Sequence, residues 1–288
     1  ISSINFEIGE MCKGLSLHRR LIYDVVVVGN ATMRDMVFGL DVSTIGEKPY
    51  KSITELEVLA GTRSTTTLNA SARDLGVRVF PKANVYGGPI IGSHVGADVA
   101  ADLLAIGMDE QDESVLLVDI GTNTEVVIGN RHGMLAASCP AGPAFEGGQV
   151  TYAMPGYDGA VETVRIENGA IRYETIGNET VQGICGSGLV DLLAELRRTD
   201  IMNELGVYRD GSKEVFFAPD ENMSLSRSDI SILAQAKAAN YSGQWILLRQ
   251  LGVPVEQVQK VYLAGGFANY INVENAVAIG FIPDLSLG

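Results

Sequence analysis

Val115-Leu116-Leu117-Val118-Asp119-Ile120-Gly121-Thr122-Asn123-Thr124-Glu125-Val126-Val127-Ile128 is an apolar run that ends in Asp119, bends at Gly121 and resumes as a second apolar run. Two short apolar runs around a glycine bend read as buried strands joined by a tight hairpin. The bend gathers groups suited to a phosphate: a glycine with no side chain in the way, the hydroxyls of Thr122 and Thr124, and successive backbone N–H groups. Asp119 closes the first strand, where a carboxylate can hold a water of hydrated Mg2+, an ion that keeps most of its waters. An aspartate that merely closes its own turn explains the same residues without a ligand.

A second glycine turn, distant along the chain, weighs against that plainer account. Val261-Tyr262-Leu263 runs as a strand into Ala264-Gly265-Gly266-Phe267-Ala268-Asn269. Adjacent glycines at a strand end let a flat ligand approach the backbone closely, although glycine is also ordinary after a strand. One turn suits phosphate and the other adenosine. Just upstream of the first, Gly92 to Ala105 reads as a small-residue helix leading into the Asp119 strand. Asp98 and Asp102 are four apart on it and can share one solvated face; the reading favours a cleft for Asp98 and solvent for Asp102.

A small-residue helix, an Asp-x-Gly-Thr hairpin and a distant Ala-Gly-Gly turn, in that order, resemble the actin, heat-shock-protein-70 and sugar-kinase (ASKHA) ATPase superfamily. Within it the chain is most similar to the ATPase portion of reductive activators of corrinoid-dependent methyltransferase systems. The similarity lies in Val27 to Met33, Val95 to Asp98, Asp119 to Glu125, Ala141-Gly142-Pro143-Ala144-Phe145-Glu146-Gly147, Ile184 to Leu189, and Leu263 to Ile271. It implies a two-lobed α/β fold of the actin or ribonuclease H type, mixed sheets flanked by helices, with residues 1–112 as the remainder of one lobe and 113–288 as the other. It implies ATP and Mg2+ in a cleft, with Asp119 and Asp98 arranging metal and attacking water, and hydrolysis changing the lobe angle.

By the same resemblance Gly121, Thr122, Asn123 and Thr124 grip phosphate, and Ala264, Gly265, Gly266 and Phe267 seat adenosine. Gly142 and Glu146, Gly186 and Ser187, Asn30 and Lys237 join as further nucleotide contacts. Each has an ordinary alternative: Asn30 as a helix cap, Glu146 as a helix-start charge, Ser187 as a cap, Lys237 as a solvated lysine. The implied partner is a corrinoid protein driven from Co(II) to Co(I), with a second copy of the chain as a further partner. A sugar or small-metabolite kinase, an activator of 2-hydroxyacyl-CoA dehydratases, and a docking module with little nucleotide affinity are the other readings. The superfamily's first phosphate hairpin has no counterpart in residues 1–118, and the chain opens on Ile1. A fragment lacking that hairpin and an N-terminal iron–sulfur domain is therefore expected, with weak nucleotide binding and negligible turnover of its own.

Composition agrees. A net charge of −14 from 21 basic and 35 acidic residues disfavours nucleic acid and anionic membrane, which select basic patches. No apolar run is long enough to span a bilayer. Cys12, Cys139 and Cys185 lie far apart without metal-ligand spacing, as suits a reducing cytosol, and read as small buried residues. His18, His94 and His132 do not cluster.

Coarse patterning then predicts a helix over residues 5–20, a buried strand Val25–Val28 and a helix opened at Asn30. Two more helices are expected at Ser52–Ala60 and Thr67–Leu75, then a strand Arg78–Phe80 and a turn Lys82–Pro89. An exposed acidic linker spans Gly107–Ser114. Beyond it the patterning predicts a meander (115–120, 125–129, 134–138), a helix begun by Phe145 and Glu146, and a hairpin about Asn168-Gly169. A helix from Ser187 to Leu196 buries Leu189, Leu192, Leu193 and Leu196, and a long helix runs from Arg227 to about Leu251, ended by Gly252.

Overall fold

The computed structural model describes residues 1–121 and 123–284, and the chain divides into two compact units, Ile1–Asp109 and Glu110–Gly288. The first unit runs α1 (Ser2–Gly14), β1 (Asp24–Val27), α2 (Ala31–Val37), α3 (Ser43–Gly46), α4 (Ile53–Leu59), β2 (Leu68–Ser71), α5 (Ala72–Leu75), β3 (Asn84–Gly87) and α6 (Ala97–Ile106). Its sheet has the order β1-β3-β2, with β1 parallel and β2 antiparallel to β3.

Several expectations for this unit need correction. The first helix covers Ser2–Gly14 and a separate 3-10 turn follows at Arg19–Leu21. Residues 67–75 carry helical spacing, yet Leu68–Ser71 pairs with β3, and only Ala72–Leu75 is helical, capped by Ser71. Strand pairing outweighs local propensity there. Residues 82–89 are no plain turn, because Asn84–Gly87 is the central strand. Gly87 is required in it: a Cβ would stand 2.7 Å from the Phe38 ring. Val77 and Val79 both point inward and mimic a strand, but they belong to an irregular segment. Val25 and Val27 pack on the core of this unit, while Val26 and Val28 alternate to the other side and are exposed rather than buried. Within the acidic linker Met108 is fully buried.

Polar burial in this unit is concentrated in one network. Arg34 and Asp35 are both fully buried, and the guanidinium also donates to Thr54 Oγ1 and to the carbonyls of Thr66 and Gly88. Ser52 donates to Asp35 at 2.6 Å. A buried ion pair is tolerable only when its remaining donors and acceptors are satisfied in this way.

The second unit contains β4 (Ser114–Ile120), β5 (Thr124–Asn130), β6 (Gly133–Cys139), β7 (Ala160–Glu167), β8 (Ala170–Thr175), β9 (Gly183–Ile184), α7 (Gly186–Arg198), β10 (Glu214–Ala218), β11 (Met223–Ser226), α8 (Arg227–Leu251), β12 (Val258–Ala264) and α9 (Val273–Ala278). The predicted meander, the Asn168-Gly169 hairpin and the two helices are all present. The main sheet has the order β12-β4-β5-β6, with β12 parallel to β4 and the rest antiparallel. Ser226 and Asp229 form a reciprocal capping box that starts α8, and Gly252 in the left-handed conformation ends it.

Helix α7 is buried from Gly186 to Leu196, with the four predicted leucines in the core. It also carries two buried carboxylates against β7. Asp191 accepts from the Val164 N–H at 3.2 Å, and Glu195 from the Ile166 N–H at 2.6 Å. These side chains complete the hydrogen bonding of a strand that β9 pairs only at Ala160 and Val161. Helix α8 packs on β5 and β6, and Gly243 makes that approach possible, since a Cβ there would run into Cys139 Sγ.

The Arg198 guanidinium holds Glu195 below the ordinary carboxylate range, against the upward push of burial and with the Ile166 N–H assisting. A depressed carboxylate stabilises the fold above its unfolded pKa, and that contribution fades as pH falls through the folded value. Glu195→Gln is therefore expected to cost roughly 2 kcal/mol at pH 7, with the gap from wild type narrowing below about pH 4.3. Denaturant titrations at several pH values measure this, and a gap independent of pH would contradict it. Gly243→Ala is expected to destabilise by about 1–3 kcal/mol through overpacking, although alanine favours helix. In a Cys139→Ala background the same change should become neutral or stabilising; an unchanged penalty there would refute the Cys139 clash.

Candidate functional site

The two glycine turns meet because two strands pair. In the parallel register of β4 and β12, Asp119 stands opposite Ala264, so each strand delivers its following turn to the same end of the sheet. Gly265 adopts φ 90°, and a Cβ on it would collide with Ile120 O and stand 2.9 Å from Asp119 Oδ1. Only glycine satisfies both the conformation and the contact. In the bend after β4, the Gly121 N–H donates to Asn123 O at 3.0 Å and tightens the turn. Thr122 lies outside the described residues.

The remaining hairpin residues differ in access. Asp119 is half-buried and Asn123 exposed. Thr124 is fully buried as the first residue of β5, and its hydroxyl has no hydrogen-bond partner among the described residues.

Gly142, at φ 75°, and Gly147, at φ 96°, bracket a four-residue 3-10 turn, Pro143–Glu146. The helix expected to begin at Phe145 therefore does not form; left-handed Gly147 stops it after one turn. Within the turn Phe145 is buried and Glu146 exposed, with Glu146 Oε1 4.0 Å from where a Cβ on Gly121 would stand. Glu146 thus adjoins the hairpin bend. Ser187 does not cap α7: Cys185 holds the cap position without a side-chain bond, and Ser187 lies buried with its hydroxyl 3.3 Å from Cys185 Sγ. A Cβ on Gly186 would strike Phe145 O and the Phe267 ring, so the start of α7 is pressed between the two turns.

Lys237 is half-buried on α8 and lines a cavity of about 440 Å3 with Phe145, Leu193, Arg197 and Arg227. Phe145 also packs on Phe267 at 6.3 Å between ring centroids, which makes it a shared wall between cavity and turns. In the first unit, Asn30 caps α2 by accepting from the Met33 N–H at 2.9 Å. The small-residue helix begins at Ala97 rather than Gly92, because Gly92–Val95 forms a tight turn and Gly29 O accepts from the Ala97 N–H. A Cβ on Gly96 would stand 2.5 Å from Asn30 Cα and 2.7 Å from Asp98 Oδ1, so Asn30 and Asp98 share one corner of that unit. Asp98 is half-buried and bonds the Val99 N–H.

Cys139, beside this sheet end, has its thiol pushed up by burial and further by the charge of Glu125, which keeps it protonated and unreactive. Glu125 itself was missed as a site neighbour. It is buried, stands opposite Asp119 across the hairpin and accepts from Ser138 at 2.8 Å. Its place follows from the hairpin register that sets it opposite Asp119. Among the described residues no group of three or more His, Cys, Asp or Glu could hold a metal ion directly, and no helix is long and apolar enough to cross a membrane.

Residues 113–288 match the family model described as the C-terminal domain of RACo, the ASKHA domain, and residues 1–111 match the RACo middle region. The corrinoid activation enzyme RamQ of Eubacterium limosum is 32% identical over 96% of this chain and 49% of its own length. The [Co(II) methylated amine-specific corrinoid protein] reductase of Methanosarcina barkeri is 24% identical over 72% of this chain and 44% of its own. A solved structure of a reductive activator for corrinoid, iron–sulfur protein superposes with a TM-score of 0.84 at 33% identity, covering 98% of this chain and 46% of that one. The chain spans about half the length of these relatives. With an ASKHA fold and a model match over more than half its residues, the chain belongs to the RACo family of corrinoid-protein reductive activators.

Proposed function

We propose that this chain is the ATP-handling part of an activator that drives a corrinoid protein from Co(II) to Co(I), with residues 113–288 as the nucleotide-holding lobe and 1–112 as the remainder of the other. The observation that carries the reading is the pairing of Asp119 with Ala264, which brings an Asp-x-Gly bend and a Gly-Gly turn to one sheet end. Gly121, Asn123 and Thr124 present backbone to phosphate, and Thr122 is proposed alongside them from its motif alone. Ala264, Gly265, Gly266 and Phe267 would seat adenosine, with the two glycines leaving the backbone free of Cβ atoms at the point of approach. Gly142 and Glu146, with Gly186 and the Ser187 backbone, close the sides. The cavity beside Phe145 gives Lys237 a place at the nucleoside end.

Mg2+, held through water on Asp119, would neutralise charge on the phosphate oxygens when bound. The chain's own residues position: the register holds Asp119, Gly265 at positive φ fixes the turn beside it, and Phe145 and Phe267 cover one flank. Asp98 and Asn30 are proposed on the resemblance alone. A corrinoid protein is the proposed partner and a second copy of the chain a further one. An iron–sulfur cluster in the full-length protein and a location in the cytosol complete the proposal.

In the full-length protein, Asp119→Asn is expected to lower MgATP turnover roughly 10–100-fold. Gly265→Ala should weaken MgATP binding and lower the melting temperature, by more than about 1 kcal/mol of stability. Calorimetry and phosphate release measure both, and a Gly265→Ala protein with wild-type melting and affinity would refute the contact with Asp119. For the partner, MgATP and a low-potential electron donor are added to the protein with a Co(II) corrinoid protein. The Co(I) absorbance is expected to rise only when ATP is present; equal reduction without ATP contradicts the reading.

A further inference from the structure

Phe281 lies outside every motif considered above, yet it is only 2% exposed and touches both aromatic side chains of the site. Its ring centroid is 5.2 Å from Phe145, edge to face at 70°, and 6.4 Å from Phe267 at 80°. Phe145 precedes Glu146, whose carboxylate adjoins Gly121. Phe267 follows Gly265-Gly266, whose backbone abuts Asp119. Phe145 and Phe267 meet at a shallower angle of 34°, so the three rings form a closed set in which Phe281 supplies both perpendicular contacts. Such edge-to-face pairs have a preferred geometry beyond simple area burial.

The Phe281 backbone is itself anchored. Its carbonyl accepts from Asn240 Nδ2 at 2.8 Å and from Gln244 Nε2 at 3.1 Å, both side chains buried on α8. Gln244 also donates to Asn240 Oδ1 at 2.9 Å, which orients the pair. The ring therefore projects from a point fixed to the longest helix, and its position does not depend on the turns it contacts. Sequence periodicity could not reveal this, because Phe281 follows α9 in a segment without regular structure.

We propose that Phe281 is a positioning residue for nucleotide binding: through Phe145 and Phe267 it sets the distance between the Pro143–Glu146 turn and the Gly265–Asn269 turn. The inference rests on the nucleotide reading above and names a residue that reading does not use. Removing the ring while leaving bulk behind would let the two turns drift apart with the core still filled. MgATP affinity and KM should then suffer, and kcat should change little.

The test compares full-length wild type, Phe281→Leu, the milder Phe281→Met, and Val164→Ala, a control that opens the same core on the β7–β8 hairpin. MgATP binding is measured by calorimetry and folding by thermal melting. The expected result is about tenfold weaker MgATP binding by both Phe281 variants, the order that losing two aromatic contacts implies. Val164→Ala should melt lower and bind as wild type does. Wild-type affinity in either folded Phe281 variant would overturn the proposal. So would an equal loss of affinity in Val164→Ala, because general destabilisation would then suffice. Absence of MgATP binding by wild type would overturn the nucleotide reading and this proposal with it.

Discussion

The parallel pairing of β12 with β4 is the constraint on which the rest depends. Strands distant in sequence share a register that sets Ala264 against Asp119, and everything proposed about ligand binding follows from the two turns emerging side by side. Parallel strands need a long crossover. Here that crossover holds two more meander strands, the β7–β8 hairpin, α7, the β10–β11 ribbon and α8. Their packing against the sheet is therefore a condition for the site as well as a means of burying apolar surface.

That packing works through a few close approaches and a few buried polar groups. Gly243 lets α8 settle against Cys139 on β6. Asp191 and Glu195 stand in for a neighbouring strand along β7. Asp229, pushed up by burial yet brought below the usual carboxylate range by bonds from Ser226 and Thr151, ties the start of α8 to the loop after the 3-10 turn. In each case a small or charged residue sits where a hydrophobic pattern alone would predict neither. The cost of burying these groups is offset because each is fully hydrogen-bonded.

Residues with a strong local signal were legible in the sequence. The Asp119 hairpin, the Asn168-Gly169 hairpin, the amphipathic leucines of α7 and the Arg227-to-Gly252 limits of α8 all rest on periodicity, capping or turn chemistry, which are local. What failed was tertiary. Leu68–Ser71 carries helical spacing but is claimed by β3, and Asn84–Gly87 reads as a turn because its glycine is present for the sake of Phe38. Ser187 looked like a cap, yet the buried start of α7 left its hydroxyl facing Cys185. Glu125 and Phe281 joined the site only through register and packing, which no single stretch encodes.

Hydrogen–deuterium exchange of the full-length protein with and without MgATP tests the central claim most directly. If the Asp119 bend and the Gly265 turn are two sides of one nucleotide seat, added MgATP slows exchange in peptides covering residues 119–124 and 264–269 together. Slowing at one of these segments without the other, or at neither while MgATP is bound, would contradict the account.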